Sequence, residues 1–156
     1  MMDDAHGVHD FVYDERNADI QVSINGVLTH RDEATVSVFE SGYLLGDGVW
    51  EGLRVHKGGV AFLDAHLKRL YAGAKTIDMD IGLTPDALRQ QLFDCLKAQD
   101  MTEGVHIRLM VTRGIKKTPY QGPRFTITPP TIVIIPEYKS PLPEVHAQGV
   151  SLFTAH

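Results

Sequence analysis

The first part of the chain alternates between apolar and polar residues in a way that predicts a β-hairpin. Residues 20–29 alternate on both sides of Asn25 and Gly26, a dipeptide that strongly favours the tight turn of a hairpin. Residues 35–39 predict a further extended segment. Residues 1–19 are polar and have no periodic pattern, so we interpret them as an N-terminal tail or arm that lies on a partner subunit.

A glycine-rich stretch runs from Tyr43 to Arg69 and contains two predicted strands. Residues 49–56 predict a strand, residues 57–59 a turn, and residues 60–62 a short returning strand. Glycine is unfavourable inside a strand, so its density here indicates tight turns or a close approach of the backbone to another group. Because aromatic and charged side chains lie among these glycines, we predict that the stretch lines a pocket.

Two helices are predicted from apolar residues at helical spacing. In the first, Asp64 is the expected N-cap, and His66 and Arg69 lie beside the apolar stripe, where their side chains can point to the same place. The second begins at Thr84 and Pro85, a combination typical of a helix start. The apolar positions are Leu67, Leu70, Tyr71, Ala74 and Ile77 in the first helix and Leu88, Leu92, Phe93, Cys95 and Leu96 in the second.

The last third of the chain predicts two strands separated by a long loop. Residues 105–112 alternate, and residues 131–135 form an apolar strand. Residues 114–130 contain four prolines, and loops of this length are uncommon unless they are functional or mobile. In the first of these strands, one face carries Val105, Ile107, Leu109 and Val111, and the other carries His106, Arg108 and Met110.

The pattern divides the chain into a domain and the beginning of another. We assign residues 20–139 to a small α/β domain, residues 140–148 to a proline-containing linker and residues 149–156 to a strand. That strand stops within an apolar alternation. We therefore expect the sequence to be a fragment that continues into a second domain.

Composition limits the classes of function. The chain has 156 residues, 43% of them hydrophobic, and a net charge of -5, which suits a soluble domain with its own core and argues against nucleic acid or an anionic membrane as partner. No apolar run approaches the ~20 residues of a membrane span. Cys95 is the only cysteine and is expected in the core, in keeping with a reducing cytoplasm. The eight histidines show no metal-site spacing, so no metal site is assigned.

Three segments together resemble a known family. They are Gly-Asp-Gly-Val-Trp-Glu-Gly-Leu-Arg-Val at 46–55, His-Leu-Lys-Arg-Leu at 66–70 and His-Ile-Arg-Leu-Met-Val-Thr-Arg-Gly at 106–114. This combination resembles the fold-type IV enzymes that use pyridoxal phosphate: branched-chain and D-amino-acid aminotransferases and aminodeoxychorismate lyases. The resemblance runs from about residue 20 to the end. It implies the small N-terminal α/β (α+β) domain of such an enzyme, a mostly antiparallel sheet with two main helices.

The resemblance implies roles for several residues. Arg69 corresponds to the arginine that holds the cofactor phosphate, and His66 orients it or touches the phosphate itself. Trp50 corresponds to an aromatic wall of the substrate pocket, and Gly52 to a glycine that leaves room beside the substrate. Because Arg69 lies beside the apolar stripe, its replacement by alanine is expected to change stability by no more than ~0.5 kcal/mol.

The remaining substrate-site predictions are Tyr43, Arg54, His106 and Arg108. Tyr43 precedes a loop that faces a dimer interface in the resembling enzymes, and Arg108 would bind a substrate carboxylate or the charges around it. The branched-chain enzymes carry a tyrosine at the position of His106, so this departure bears on the substrate.

Each of these predictions has a plainer alternative. Tyr43 and Trp50 would then be ordinary core aromatics, and Glu51 and Arg54 an ion pair on one strand. Arg69 would be an exposed arginine in a salt bridge. Lys116, Lys117 and Arg124 in the long loop would be solvated, which we favour over their binding a second carboxylate, and Arg113 would anchor the loop.

The implied activity is transfer of an amino group between an amino acid and a 2-oxo acid in a cytoplasmic homodimer. Branched-chain L-amino acids are slightly favoured, followed by D-amino acids and then by the lyase reaction. The Schiff-base lysine of the family lies in the second domain, so we assign no catalytic residue here and expect this chain to be inactive alone. The alternative from another class is a non-catalytic domain that binds a ligand or a partner chain.

Overall fold

A computed structural model of the protein describes residues 13–140 together with Ala147, Gly149 and Thr154. The strands are β1 (Gln21–Ile24), β2 (Val27–His30), β3 (Gly48–His56), β4 (Gly59–Val60), β5 (Val105–Thr112) and β6 (Thr131–Tyr138). The helices are α1 (Ser41–Leu45), α2 (Leu63–Thr76) and α3 (Pro85–Lys97), with 3-10 turns at Glu15–Asn17 and Pro123–Phe125. The six strands form one sheet in the order β2-β1-β6-β5-β3-β4, and every neighbouring pair is antiparallel.

The sheet has one covered face and one open face. Alternate residues of β5 are fully buried beneath α2 and α3, as the alternation predicted. Because successive side chains of a strand point to opposite faces, the residues between them lie on the open face. The core members of β5 are Val105, Ile107, Leu109 and Val111, and they pack with Leu53, Leu67, Leu88 and Leu92. The predicted arrangement of a mostly antiparallel sheet with two main helices is confirmed.

Local signals placed several elements correctly. The first hairpin turns at Asn25 and Gly26, with φ of 52° and 83°, the left-handed conformations that this turn requires. Helix α3 begins as predicted, with the Thr84 hydroxyl accepting a 3.2 Å hydrogen bond from the Ala87 backbone N–H.

The start of α2 was predicted wrongly. Phe62, not Asp64, precedes the helix; Phe62 has a left-handed φ of 52° and offers no capping side chain. The returning strand therefore ends at Val60 instead of extending to residue 62. Asp64 lies in the first helical turn, where its carboxylate accepts a 2.5 Å hydrogen bond from Arg89.

The segment before β3 also differs from the prediction. Residues 35–39 form no strand: the Phe39 carbonyl oxygen accepts a 2.9 Å bond from the Lys116 N–H, but the pairing goes no further than an isolated bridge between Glu40 and Ile115. Helix α1 follows and was not predicted. Its first turn is capped by Glu40, whose carboxylate accepts a 2.6 Å bond from the Gly42 N–H, and it ends at Gly46 with φ 66°.

The ends of the chain are described only in part. In the predicted arm at 1–19, residues 1–12 lie outside the described residues. The remainder is tied to the sheet through Asn17, whose side-chain amide bonds both the N–H and the C=O of Tyr138. The predicted linker at 140–148 and strand at 149–156 lie outside the described residues except for single positions. In the part of the chain that is described, no helix is both long and apolar enough to span a membrane.

Cys95 should be unreactive in the folded protein. It is buried in the core on α3, and burial raises the pKa of its thiol to about 11. Since the thiolate is the reactive form, a thiol reagent at about pH 8 should modify Cys95 at least about a hundredfold more slowly in the native protein than in urea. Equal rates in both conditions would contradict burial of this side chain.

Candidate functional site

A buried glutamate organises the beginning of the candidate site. Glu51 lies on the covered face of β3, and only 3% of its side chain is exposed. Its two carboxylate oxygens accept bonds of 2.7 Å from Arg69 Nε and 2.5 Å from Arg69 Nη2. His66 Nδ1 lies 2.8 Å from the same carboxylate and donates to it in the tautomer with the proton on Nδ1. The predicted convergence of His66 and Arg69 is confirmed, and its target is Glu51.

The Glu51 carboxylate holds Arg69 in one orientation. The Arg69 guanidinium, assisted by His66, holds the pKa of Glu51 below its ordinary value against the opposing effect of burial. Glu51 is therefore ionised at neutral pH. The alternative that Arg69 is an exposed arginine in a salt bridge matches this geometry. The salt bridge nevertheless leaves some of the guanidinium N–H donors without a bond to Glu51.

The outer edge of Arg69 fits an anionic group. The side chain is 71% exposed, and its Nη1 amino group makes no hydrogen bond with the described residues. A guanidinium has five N–H donors in a planar fork that suits the oxygens of a phosphate. The donors not used by Glu51 are thus available to the phosphate of pyridoxal phosphate, so the residues present fit that part of the cofactor.

The expected alternative of a Glu51–Arg54 ion pair is wrong. The two residues are three positions apart on a strand, so their side chains lie on opposite faces. Glu51 is buried under α2, whereas Arg54 lies on the open face and donates through Nη1 to the backbone carbonyl of Lys139.

Five of the predicted substrate-site residues meet on the open face. Gly52 pairs with Arg108 and Arg54 pairs with His106 across β3 and β5. The Arg108 guanidinium carbon lies 4.1 Å from the centre of the Trp50 ring, a cation–π contact. The alternation of β3 thus sends Trp50, Gly52 and Arg54 to one face and Glu51 to the other.

The missing side chain of Gly52 makes room for its neighbour His106. A Cβ atom at this position would lie 3.2 Å from His106 Nε2 and 3.9 Å from a carbon of the Trp50 ring. The first of these distances is tighter than an ordinary van der Waals contact, so a side chain here would displace the imidazole.

The open face also carries a pocket of about 590 Å³. Tyr43 and Trp50 line it, together with Met110 of β5 and Val133 of β6. Tyr43 is 74% and Trp50 60% exposed, so the alternative that they are core aromatics is wrong. The other predicted site residues do not line this pocket: Gly52, Arg54, His106 and Arg108 lie on the same face outside it, and Arg69 lies on the other side of β3.

The long loop contains residues whose roles the sequence did not indicate. Lys116 is 1% exposed, and its ammonium lies 3.3 Å from the carbonyl oxygens of Gln121 and Gly122. The expectation of a solvated Lys116 is therefore wrong. No sequence pattern marked it, because a buried lysine beside carbonyls of its own loop is a tertiary feature.

Arg113 anchors this loop, as one reading of the sequence proposed. Its guanidinium bonds the Asp47 carboxylate at 2.7 and 3.1 Å and the carbonyl oxygens of Ile77 and Asp78 at 2.7 and 2.8 Å. Within the described part of the chain, no cluster of His, Cys, Asp or Glu could hold a metal ion.

Comparison with known proteins gives one family. The sequence profile of amino-transferase class IV matches residues 48–156. The chain is 34% identical over 139 residues to branched-chain-amino-acid aminotransferase-like protein 1 of Arabidopsis thaliana, covering 89% of this chain and 25% of that protein. It is 37% identical over 110 residues to D-alanine aminotransferase of Listeria innocua, covering 70% of this chain and 36% of that protein. The chain thus spans well under half the length of these relatives.

Solved structures show the same fold. A 4-amino-4-deoxychorismate lyase of Pseudomonas aeruginosa superposes with a TM-score of 0.63 at 30% identity, covering 81% of this chain and 43% of that one. A branched-chain aminotransferase of Thermoproteus uzoniensis, solved with norvaline, gives 0.64 at 25% identity and covers 76% and 40%. Another branched-chain amino acid aminotransferase, whose structure holds N-(5'-phosphopyridoxyl)-L-glutamate, gives 0.64 at 23% identity and covers 76% and 40%.

The glycine-rich strand, the helix that carries Arg69 and the strand that carries Arg108 all lie within the matched region. The chain has the fold of the N-terminal domain of fold-type IV aminotransferases, and it belongs to the class IV aminotransferase family.

Proposed function

We propose that this chain is the N-terminal domain of a pyridoxal phosphate-dependent aminotransferase. The complete protein would move an amino group between an amino acid and a 2-oxo acid. The observation that carries the proposal is Arg69, which a buried carboxylate holds in a fixed orientation while its outer donors remain open. Such a fixed guanidinium is suited to binding a phosphate group.

The residues of this chain would bind and orient, and the bound cofactor would supply the chemistry. Pyridoxal phosphate acts as an electron sink for bonds broken next to the substrate nitrogen. Arg69 holds its phosphate, and Glu51 and His66 fix the plane of the guanidinium. Because the orientation is set before binding, less side-chain entropy is lost when the phosphate arrives.

The open face of the sheet would hold the substrate. Arg108, kept in place by the Trp50 ring, offers its donors to a carboxylate. Trp50 and Tyr43 form apolar walls, and the missing side chain of Gly52 makes room for the imidazole of His106. Arg54 adds a second positive charge on the same face.

The names of the relatives indicate the classes of substrate that we propose. Branched-chain L-amino acids are slightly favoured, since a relative that aligns with 89% of the chain is a branched-chain aminotransferase-like protein and a structural neighbour holds norvaline. D-amino acids come second, from the D-alanine aminotransferase relatives. Lyase activity on aminodeoxychorismate comes third.

We also propose that the complete protein is a cytoplasmic homodimer. Val36, Val38, Phe39 and Tyr43 expose apolar side chains in the segment before β3, and clusters of this kind are typical of protein interfaces. The single buried thiol suits a reducing compartment.

Titration of the complete apoprotein with pyridoxal phosphate tests the function. We expect saturable binding, seen as a change in the visible absorbance of the cofactor, and amino transfer from an L-branched-chain donor to a 2-oxo acid. The 156-residue chain alone should bind the cofactor weakly and transfer nothing. Failure of the complete protein to bind the cofactor would favour a non-catalytic domain, and faster transfer from D-amino acids would reverse the substrate order.

A further inference from the structure

The open face of the sheet carries a local excess of positive charge. Arg54 and Arg108 lie on neighbouring strands, and Lys139 follows the end of β6. Arg54 bonds a backbone carbonyl and Arg108 stacks on an aromatic ring; among the described residues neither forms a salt bridge with a carboxylate, nor does Lys139. A cluster of cations without carboxylate partners attracts anions.

His106 lies at the centre of this cluster. It pairs with Arg54 on one side and with Glu137 on the other, in the register of β3, β5 and β6. Its Nε2 lies over Gly52, in the space that a larger residue at this position would take. An anion that approaches Arg54 and Arg108 on this face would therefore lie near the imidazole, since His106 is paired with one of them and two positions from the other.

Charged groups from β3, β5 and β6 surround His106. Arg54 comes from β3, Arg108 from β5 itself, and Glu137 and Lys139 from β6 and the residue that follows it. Burial is the largest cause that lowers the pKa of His106. The positive charges of Arg54, Lys139 and Arg108 lower it further, and the negative charge of Glu137 opposes them. The imidazole is therefore neutral at neutral pH.

We propose that His106 is a specificity-determining residue: when protonated it favours ligands that carry a second acidic group, and when neutral it favours ligands with an uncharged side chain. This inference rests on the proposed function, since it concerns the ligand side chain at the same site. It goes beyond that function by making the choice of ligand depend on pH.

The direction of the effect follows from linkage. An anion beside His106 stabilises the imidazolium and so raises the pKa of His106. An opposite charge within a few ångströms shifts a pKa by about 1–3 units, so the protonated protein should bind the anion about tenfold or more tightly than the neutral one. Affinity for the second acidic group therefore rises as the pH falls through the pKa of His106, and an uncharged side chain gains nothing.

Trp50 allows this to be measured without the cofactor. It is the only tryptophan of the 156-residue protein, and it contacts Arg108. We would titrate the full 156-residue chain with 4-sulfobutanoate and with pentanoate, following Trp50 fluorescence from about pH 8 to about pH 5. The two probes are similar in length, and the sulfonate remains charged throughout. The imidazole pKa would be followed by NMR in parallel.

The variants are His106→Gln and, as a matched control, His30→Gln. His30 lies on β2, three strands from β5 in the sheet, and its Nε2 lies 3.7 Å from the Asp19 carboxylate. We expect 4-sulfobutanoate to bind the unmodified protein about tenfold more tightly at the acidic end of the range. The His30→Gln variant should behave alike, and His106→Gln should bind the probe with little dependence on pH. The His106 resonance should titrate at higher pH when the anion is bound.

Three results would overturn the inference: the same pH dependence in His106→Gln as in the unmodified protein, an equal pH dependence for pentanoate, or no binding of 4-sulfobutanoate at any pH. None of these measurements involves pyridoxal phosphate. Failure of the cofactor titration would therefore contradict the aminotransferase function without deciding whether His106 selects ligands by their charge.

Discussion

Replacing Leu109 with alanine should lower the free energy of unfolding by about 2–5 kcal/mol. Leu109 is fully buried at the middle of β5, the strand that pairs along its whole length with both β3 and β6. Removing its side chain leaves a cavity between the sheet and the helices that neighbouring groups cannot fill, because the flanking strands are fixed by their hydrogen bonds. Urea melts of the variant and of the unmodified protein measure the difference.

Met110→Ala is the matched control. Met110 is the next residue of the same strand, but its side chain lies on the open face and lines the pocket there. The two substitutions remove similar amounts of apolar side chain, so Met110→Ala should cost less than half as much stability. Equal losses would mean that the two faces of β5 are packed alike, contrary to this structure.

The second large effect is expected at Arg69. Arg69→Ala removes both guanidinium bonds to the buried Glu51 carboxylate, and a buried acid that loses its main partner destabilises the folded state. The sequence alone predicted a change of no more than ~0.5 kcal/mol, as for a surface residue. The structure leads us to expect a larger loss, because the exposed arginine is the main partner of a buried acid.

Affinity for pyridoxal phosphate should fall in the same variant by about tenfold to a hundredfold, since a charge-assisted contact to phosphate is lost. Arg69→Lys should recover only part of the affinity, because an ammonium cannot reproduce the planar fork. Titration of the complete apoprotein measures this. Unchanged affinity beside a reduced melt midpoint would leave Arg69 a purely structural residue.

A pH series separates the two roles. The pKa of Glu51 is lower in the folded protein than its ordinary value of 4.5. The stability contributed by its pairing is therefore present above about pH 4.5 and is lost as the pH falls through the lower folded value. The stability difference between the unmodified protein and Arg69→Ala should shrink in that acidic range, and it should be nearly absent in a Glu51→Gln background at any pH. A difference that persists in that background would assign it to contacts other than Glu51.

The elements that the sequence predicted are those set by local or periodic rules. The alternation of β5 placed both its ends and its two faces, and the Thr84–Pro85 start and the Asn25–Gly26 turn follow from hydrogen bonding and backbone conformation within a few residues. The same periodicity put His66 and Arg69 on one helix face.

The features that the sequence did not predict follow from no local or periodic rule. Phe62 adopts a left-handed conformation that a bulky residue rarely takes on local grounds, and it displaced the expected cap at Asp64. The partner of Arg69 is Glu51, eighteen positions earlier, which only the packing of α2 on β3 brings into contact. Lys116 is buried because its loop folds back over it.

The strict alternation along β3 has an evolutionary consequence. Glu51, Leu53 and Val55 face the helices, and Trp50 and Arg54 face outward. Outward side chains can therefore be exchanged over generations without opening a void beneath the helices or disturbing the acid that orients Arg69. One scaffold can then diverge into enzymes with different preferences while most of its stability is retained. Relatives named as branched-chain and as D-alanine aminotransferases, at similar distances from this chain, are what such a division of labour would produce.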